Sequence, residues 1–131
     1  MTNTKILEKI NLINFQESVI QSVFTRDYFD SATANRIFET NIILFVPTLE
    51  KKDSYWTIST ISEKTEFDCN FYPGGSEAIV TVELKKTGDK IKLEIFGFDR
   101  EEETLISLLA ESIDFRKSTD EELKFFVGLK R

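Results

Sequence analysis

Apolar and polar residues alternate along two short segments within residues 77–98. A period of two places every second side chain on one face, as a half-buried strand requires. The apolar set comprises Ala78, Val80, Val82, Leu84, Ile91, Leu93 and Ile95. Between the segments lies Gly88, which adopts positive φ at low cost. The pattern predicts a β-hairpin, around which the rest of the chain packs.

Charged residues on the outer face of this hairpin distinguish two registers. One places Glu83 opposite Lys92, a favourable pair, and Lys85 opposite Lys90, a like-charged pair. A shift of two residues places Glu83 opposite Glu94 and Lys85 opposite Lys92. Opposite charges across two strands stabilise by roughly 0.2–1 kcal/mol, and like charges cost a similar amount. Because the second register opposes two like-charged pairs, the sequence predicts the first.

Apolar residues at helical spacing dominate the N-terminal part of the chain. They form two stripes, Ile6, Leu7, Ile10 and Ile13, then Phe15, Val19, Ile20, Val23 and Phe24. Spacings of three and four residues place side chains on one face of a helix. Asn14 and Glu17 have the spacing of a capping box. The segment therefore predicts two helices, or one helix with a kink.

The C-terminal part carries two further helix signals. The carboxylates within residues 99–103 favour the positive end of a helix dipole. An apolar stripe follows them, consisting of Leu105, Ile106, Leu108, Leu109 and Ile113. Ser118 and Glu121 have capping-box spacing ahead of the apolar residues 123–127. Helices are therefore predicted at this end as well.

The middle of the chain is rich in strand signals. Residues 41–46, which are apolar from Ile42 onwards, form a run typical of a buried strand. Residues 55–61 and 65–72 alternate, with a predicted hairpin loop between them. Residues 25–40 favour a helix, although a single strand from residue 36 to 46 is the alternative. Pro73, Gly74 and Gly75 predict a turn.

These elements predict a single α+β domain over residues 1–131. Short connections favour a central antiparallel meander of about five strands. The N-terminal and C-terminal helices would pack mainly on one face of that sheet. A chain of 131 residues buries enough surface to fold without a disulfide or a metal.

Charge narrows the class of partner. The chain has 17 Lys and Arg against 23 Asp and Glu, a net charge of −6. Direct nucleic-acid binding is disfavoured because neutralising phosphates requires clustered Lys and Arg. An acidic chain is favoured beside a basic protein surface, where complementary fields accelerate association. Solubility alone is the simpler explanation of the same charge.

The composition also excludes several chemistries. The chain has no histidine, which removes Ser-His and Cys-His pairs and the common catalytic zinc sites. Cys69 is the one cysteine, so no intramolecular disulfide forms. Dinucleotide and P-loop motifs are absent, and no cofactor is expected. No apolar run approaches the ~20 residues of a membrane span, so no membrane association is expected and cytoplasmic residence is the default.

Aromatic and acidic residues outside the predicted core are the candidate binding contacts. Glu66 and Asp68 share one face of their strand. Aromatic anchors within an acidic field are typical of proteins that inhibit basic partners. The candidate partner-binding residues are Trp56, Glu66, Asp68, Phe96, Phe98, Glu101, Glu102 and Glu103. Glu101, Glu102 and Glu103 are not predicted to bind a metal, because consecutive carboxylates diverge around a helix. Glu66 and Asp68 could form a paired-carboxylate acid/base site, but a solvated strand face is favoured, so no catalytic residue is predicted.

In size, acidity and predicted α+β order, the chain resembles bacterial immunity and antitoxin proteins. This resemblance implies a non-enzymatic inhibitor that occludes a basic partner protein, such as a toxin nuclease. One alternative is an acidic secretion-type chaperone or a phage inhibitor of host defence. The other is a small carboxylate-based enzyme or ligand-binding domain. The identity of the partner and the oligomeric state stay open.

Overall fold

A closed antiparallel barrel forms the body of the protein. The computed structural model describes residues 3–15, 17–49, 55–69, 77–97 and 104–124, without the side chains of 3–6, 63–66 and 77–81. The elements within these residues are α1 (Asn3–Asn11), β1 (Val19–Asp30), β2 (Asn35–Phe45), β3 (Tyr55–Cys69), β4 (Glu77–Thr87), β5 (Lys90–Gly97), β6 (Thr104–Lys117) and α2 (Asp120–Glu122). The strand order is β1-β2-β3-β6-β5-β4, and β4 closes on β1.

The predicted α+β class is therefore wrong. Instead of one meander covered by helices, the strands form two meanders, β1-β2-β3 and β4-β5-β6. The two meanders join through the β3–β6 and β1–β4 ladders. Closure turns the apolar face of each meander towards the other, so the sheet needs no layer of helices to bury it. The fully buried core includes Ile42, Leu44, Ile58, Leu93, Ile95 and Ile106.

A β-bulge in β6 explains why the sequence of this strand predicts a helix. Ala110 pairs with Ser62 and Ser112 pairs with Ile61, so Glu111 is an extra residue. Buried positions alternate as Ile106, Leu108 and Ala110 before the bulge, and as Ile113 and Phe115 after it; Leu105 is buried as well. One extra residue reverses the phase of the alternation, which gives the apolar residues a spacing close to that of a helix. The helix predicted over residues 105–113 is wrong.

A second bulge has the same effect in β1. Ile20 pairs with Leu44 and Ser22 pairs with Ile43, which leaves Gln21 as the extra residue. Apolar residues on the two sides of the bulge again acquire a helix-like spacing. The helix predicted over residues 15–24 is wrong. Of the first helical stripe, Ile6, Leu7 and Ile10 lie in α1, whereas Ile13 lies beyond its end.

Both β2 and β3 are continuous strands. The alternative strand over residues 36–46 is confirmed, and the helix over residues 25–40 is wrong. β3 runs through residues 62–64, where the sequence predicts a hairpin loop, and its ladder with β6 shifts register there instead. A register shift accommodates the break in alternation without reversing the chain. The predicted turn at residues 73–75 and the helix start at residues 99–103 lie outside the described residues.

The predicted hairpin is confirmed by β4 and β5, but its predicted register is wrong. Glu83 lies opposite Glu94, and Lys85 lies opposite Lys92. Gly88, at a φ of 67°, is the first residue of a two-residue turn, and such a turn fixes the register of both arms. Within each strand, the Glu and the Lys are two residues apart on the same face, so each like-charged pair has the opposite charge beside it. The turn geometry therefore outweighs the cross-strand repulsion.

The α1 helix packs against β4 and β6. The described β1–β4 ladder consists of Val19 opposite Ala78 and Ile20 opposite Glu77. The Asn11 side chain extends the hydrogen bonding of β4: its Nδ2 donates to the Leu84 carbonyl, and its Oδ1 accepts from the Leu84 N–H, both at 3.2 Å. Ile10, one residue earlier, is fully buried in the core. Side chains of the helix thus complete both the core and the edge of β4.

Candidate functional site

Three adjoining depressions lie over β1, β2, β3 and β6. One of them shares Glu39 and Ser59 with the second and Ile61 with the third, so the three are contiguous. Their ionisable lining residues, which we call the acidic face, are Asp27, Asp30, Glu39, Glu111, Asp114, Glu121 and Glu122, with Arg26, Arg36 and Arg116. Seven carboxylates and three arginines give this face a net charge of −4, against −6 for the whole chain. The residues that line these depressions are therefore acidic on balance.

Two arginines of the acidic face form weak, solvent-exposed ion pairs. Arg26 contacts Glu39 and Arg36 contacts Asp27, each at 3.4 Å. The arginine side chains are 66% and 82% exposed, and exposed pairs contribute about 0–1 kcal/mol. Both guanidinium groups can therefore leave their carboxylates at little cost when a competing cation approaches.

The third arginine is held firmly and anchors the C-terminal side of the face. Arg116 donates two hydrogen bonds to the Glu122 carboxylate, at 2.6 and 3.0 Å. Glu122 also accepts from the Thr119 N–H at 2.9 Å, and its own N–H donates to Thr119 Oγ1 at 3.1 Å. This reciprocal pair is a capping box, one residue later than the predicted Ser118–Glu121 pair. It fixes α2 against β6.

Electrostatics favour the charged form of both partners, the buried Glu122 and the partly exposed Arg116. Burial by itself raises the pKa of Glu122, but hydrogen bonds from Arg116 and Thr119 outweigh burial and hold that pKa below its ordinary value. The hydrogen bond to Glu122 is the main cause that raises the pKa of Arg116. Both groups are therefore ionised at neutral pH in the folded protein.

A buried asparagine orients the centre of the acidic face. The Asn41 Nδ2 group donates to Glu39 Oε1 at 2.9 Å, and Asn41 Oδ1 accepts from the Ser59 hydroxyl. Asn41 is buried, so these bonds compensate the loss of its contacts with water. They also restrict the Glu39 carboxylate to one orientation before any partner binds.

The largest of these three depressions, which we call the rim pocket, lies where the β3–β6 ladder is interrupted. Its volume is about 830 Å³. Glu111, the extra residue of the β6 bulge, lines it together with Ser62 and the buried Phe38. Asp30 lines the rim and holds the β1–β2 turn, accepting from the Ala32 N–H at 3.0 Å. Bulges are common beside binding sites because they redirect side chains and terminate pairing.

Trp56, predicted as a binding anchor, is half-buried and packs against the core. Its ring stacks on Phe115 with the centroids 5.2 Å apart, and the Lys9 amino group lies 5.7 Å from the Trp56 ring centroid. The indole N–H is buried with no hydrogen-bond partner among the described residues. Trp56 therefore contributes to packing, and its role in binding stays a prediction.

Asp68 and Phe96 do not line the acidic face but lie near a second acidic row. Strand registers align Asp68 with Ser107, Ser107 with Glu94, and Glu94 with Glu83. Phe96 is half-buried, two residues along β5 from Glu94. The role of Asp68 and Phe96 in binding stays a prediction. The side chains of Glu66, Phe98, Glu101, Glu102 and Glu103 lie outside the described residues.

The sequence analysis misses every residue of the acidic face. Asp27 lies in β1, and Glu111 and Asp114 lie in β6, two segments whose sequences predict helices in whole or in part. Their pairing with β2 and β3 was therefore not expected. One local signal is present: Asp114, Phe115 and Arg116 alternate polar, apolar and polar, which favours a strand.

No helix within the described ranges is long and apolar enough to cross a membrane. The carboxylates in those ranges do not converge in groups of three or more that could hold a metal ion. Comparison of the chain with protein-family models, with curated protein sequences and with solved structures finds no match.

Proposed function

We propose that the chain is a non-enzymatic binding protein of the immunity or antitoxin type. It occludes a basic partner protein, such as a toxin nuclease, in the cytoplasm. The observation that carries the proposal is the net charge of −4 on the acidic face. The α+β order that contributed to the resemblance is absent, so the proposal depends on charge and surface shape.

Complementary charge explains how such a face would select its partner. A concentrated negative potential steers a basic surface into contact and repels other acidic proteins. Four neighbouring strands span about 15–20 Å, and a stable interface needs about 800 Å² from each partner. The acidic face has suitable dimensions for such an interface.

Pre-organisation of its side chains favours tight binding. Glu39 is oriented by Asn41, and Glu122 is held by Arg116 and Thr119. Side chains fixed before association lose less conformational entropy on binding. The weakly paired Arg26 and Arg36 can move aside for the cations of the partner. The partner is inhibited because its basic active surface is covered.

Charge reversal tests the proposal. Asp114→Lys with Glu121→Lys reverses two exposed positions of the acidic face. Glu8→Lys with Asp89→Lys is the matched control, because both residues are exposed, do not line the depressions, and give the same change of net charge. Each protein is used as bait in the native host, and recovered partners are identified by mass spectrometry.

The two variants are expected to differ sharply. Wild type and control should recover the same basic protein and inhibit it at a one-to-one ratio, whereas the face variant should bind at least about tenfold more weakly. Affinity should also fall steeply with salt. Equal weakening in both variants, or association independent of salt, would contradict the proposal.

A small-ligand-binding domain is the second candidate. The rim pocket favours it, because about 830 Å³ lies within the range of small-molecule sites, about 300–1,000 Å³. A ligand that binds with no basic protein recovered from the host would favour this candidate over the first.

A further inference from the structure

We propose that the rim pocket binds a single guanidinium or ammonium group on an aliphatic stem. An Arg or Lys side chain of the basic partner is its expected source. This inference deepens the proposed function. Only the source of the cation rests on the proposed function, because a free alkylamine or alkylguanidine has the same charged group and the same aliphatic stem.

The charge of the pocket selects a cation. Asp27, Asp30 and Glu111 line it together with one arginine, Arg36, which leaves a net charge of −2. An anionic ligand would be repelled. A divalent metal ion is disfavoured because the described carboxylates do not converge as a set of ligands. A monovalent organic cation needs no such convergence.

An unsatisfied hydroxyl provides a second, independent sign of a ligand. Ser62 lines the pocket and is 5% exposed, and its Oγ has no hydrogen-bond partner among the described residues. A buried polar group without a partner destabilises the folded protein. An N–H group of a bound cation would donate to the lone pairs of this oxygen and supply the hydrogen bond that it lacks in the free protein.

The remaining walls suit the stem of a basic side chain. Ile37, Phe38 and Ile61 line the pocket beside the carboxylates. Long basic side chains place their methylene groups on apolar surface while the charged head contacts polar groups. The pocket thus offers separate surfaces for the stem and for the cation.

Arg36 of the chain itself shows how a guanidinium is accommodated. Its Nε lies 3.4 Å from Asp27 Oδ1, while the side chain is 82% exposed. An ion pair with this degree of exposure is weak. A guanidinium group of a partner can therefore replace that of Arg36 beside Asp27. Arg36 is therefore a competitor for the site, and its removal should strengthen binding.

The test is an amide NMR titration of the full chain with agmatine and butylammonium, with 1-butanol as the neutral probe. Both cations should shift the amides of Ser62, Glu111 and neighbouring residues, and 1-butanol should not. Glu111→Gln and Ser62→Ala should each weaken binding about threefold to tenfold. Arg36→Gln should strengthen it about threefold.

Asp114→Asn is the matched control, because Asp114 is exposed on the same strand and does not line the rim pocket. It should change the affinity less than about twofold. Equal effects of Asp114→Asn and Glu111→Gln would show diffuse attraction to an acidic surface and would overturn the proposal. So would the absence of shifts, or tighter binding by Ser62→Ala.

The same variants separate this inference from the proposed function. Binding of the cations to the pocket, with no basic protein recovered from the host, would support the pocket proposal with a free cation as the ligand. The same result would refute the proposed function. If a basic protein binds, but neither Glu111→Gln nor the free cations show a site, the proposed function stands and the pocket proposal fails.

Discussion

Replacing Glu122 by alanine tests whether the ion pair with Arg116 anchors α2 to the barrel. The variant removes two charge-assisted hydrogen bonds from Arg116 and the capping bond from the Thr119 N–H. Hydrogen bonds to charged groups contribute about 1.5–3 kcal/mol, and a cap about 1 kcal/mol. The Arg116 side chain is 37% exposed, so it regains part of this energy from water.

The net loss in the free energy of unfolding should be about 2–3 kcal/mol. For a chain of 131 residues, this lowers the melting temperature by about 6–12 °C. Glu121→Ala is the matched control, because Glu121 is exposed in the same helix, and it should cost less than about 0.5 kcal/mol. Urea unfolding followed by circular dichroism measures both changes.

A double-mutant cycle isolates the pair itself. Arg116→Ala, Glu122→Ala and the double variant should give a coupling energy of about 1–2 kcal/mol. A coupling energy near zero, or equal stabilities of Glu122→Ala and Glu121→Ala, would refute the anchoring role of the pair.

The stability contributed by Glu122 should also depend on pH. Because its folded pKa lies below the ordinary value of 4.5, the contribution is complete above that pH and is lost as the pH falls through the lowered pKa. The difference in stability between wild type and Glu122→Gln should therefore be constant above about pH 5 and shrink on further acidification. A difference that grows below pH 4 would contradict this pKa direction.

Three further predictions concern the barrel. Asn11→Ala should cost about 1–3 kcal/mol and accelerate hydrogen exchange at Leu84, whose main chain loses both bonds to Asn11; unchanged exchange would refute this role. Gly88→Ala should cost about 1 kcal/mol because φ is 67°, and Gly88→Asn should cost less by thermal unfolding; equal costs would contradict the turn geometry. Glu94→Lys should stabilise by about 0.5 kcal/mol at low salt by facing Glu83, and no gain would argue against the observed register.

The spacing of apolar residues and the turn residues predict the elements that form through contacts near in sequence. The β4–β5 hairpin is predictable because its arms alternate strictly and Gly88 supplies the positive φ of the turn. Its register is not predictable from charge alone, because the two-residue turn outweighs the repulsion between Glu83 and Glu94. The first helix is predictable from its apolar stripe.

The bulged strands are not predictable in the same way. The extra residues, Gln21 in β1 and Glu111 in β6, exist only relative to the partner strands. Before the pairing is known, the phase change around each of them resembles a helix. The acidic face therefore escapes sequence analysis, since its residues meet only when β1 and β6 flank the β2–β3 pair.

The capping box shows a similar limit. Ser118 with Glu121 and Thr119 with Glu122 have the same spacing, so sequence alone does not separate them. The structure selects the second pair, in which Glu122 also reaches Arg116. Tertiary contact thus decides between two equivalent local signals.

Hydrogen exchange of the chain, alone and bound to the basic protein recovered from the host, tests the central claim most directly. Binding through the acidic face should protect amides in residues 37–41, 57–61 and 110–116, and leave residues 84–92 of the β4–β5 hairpin unchanged. Protection confined to that hairpin, or to the strands around Asp68 and Phe96, would contradict the account.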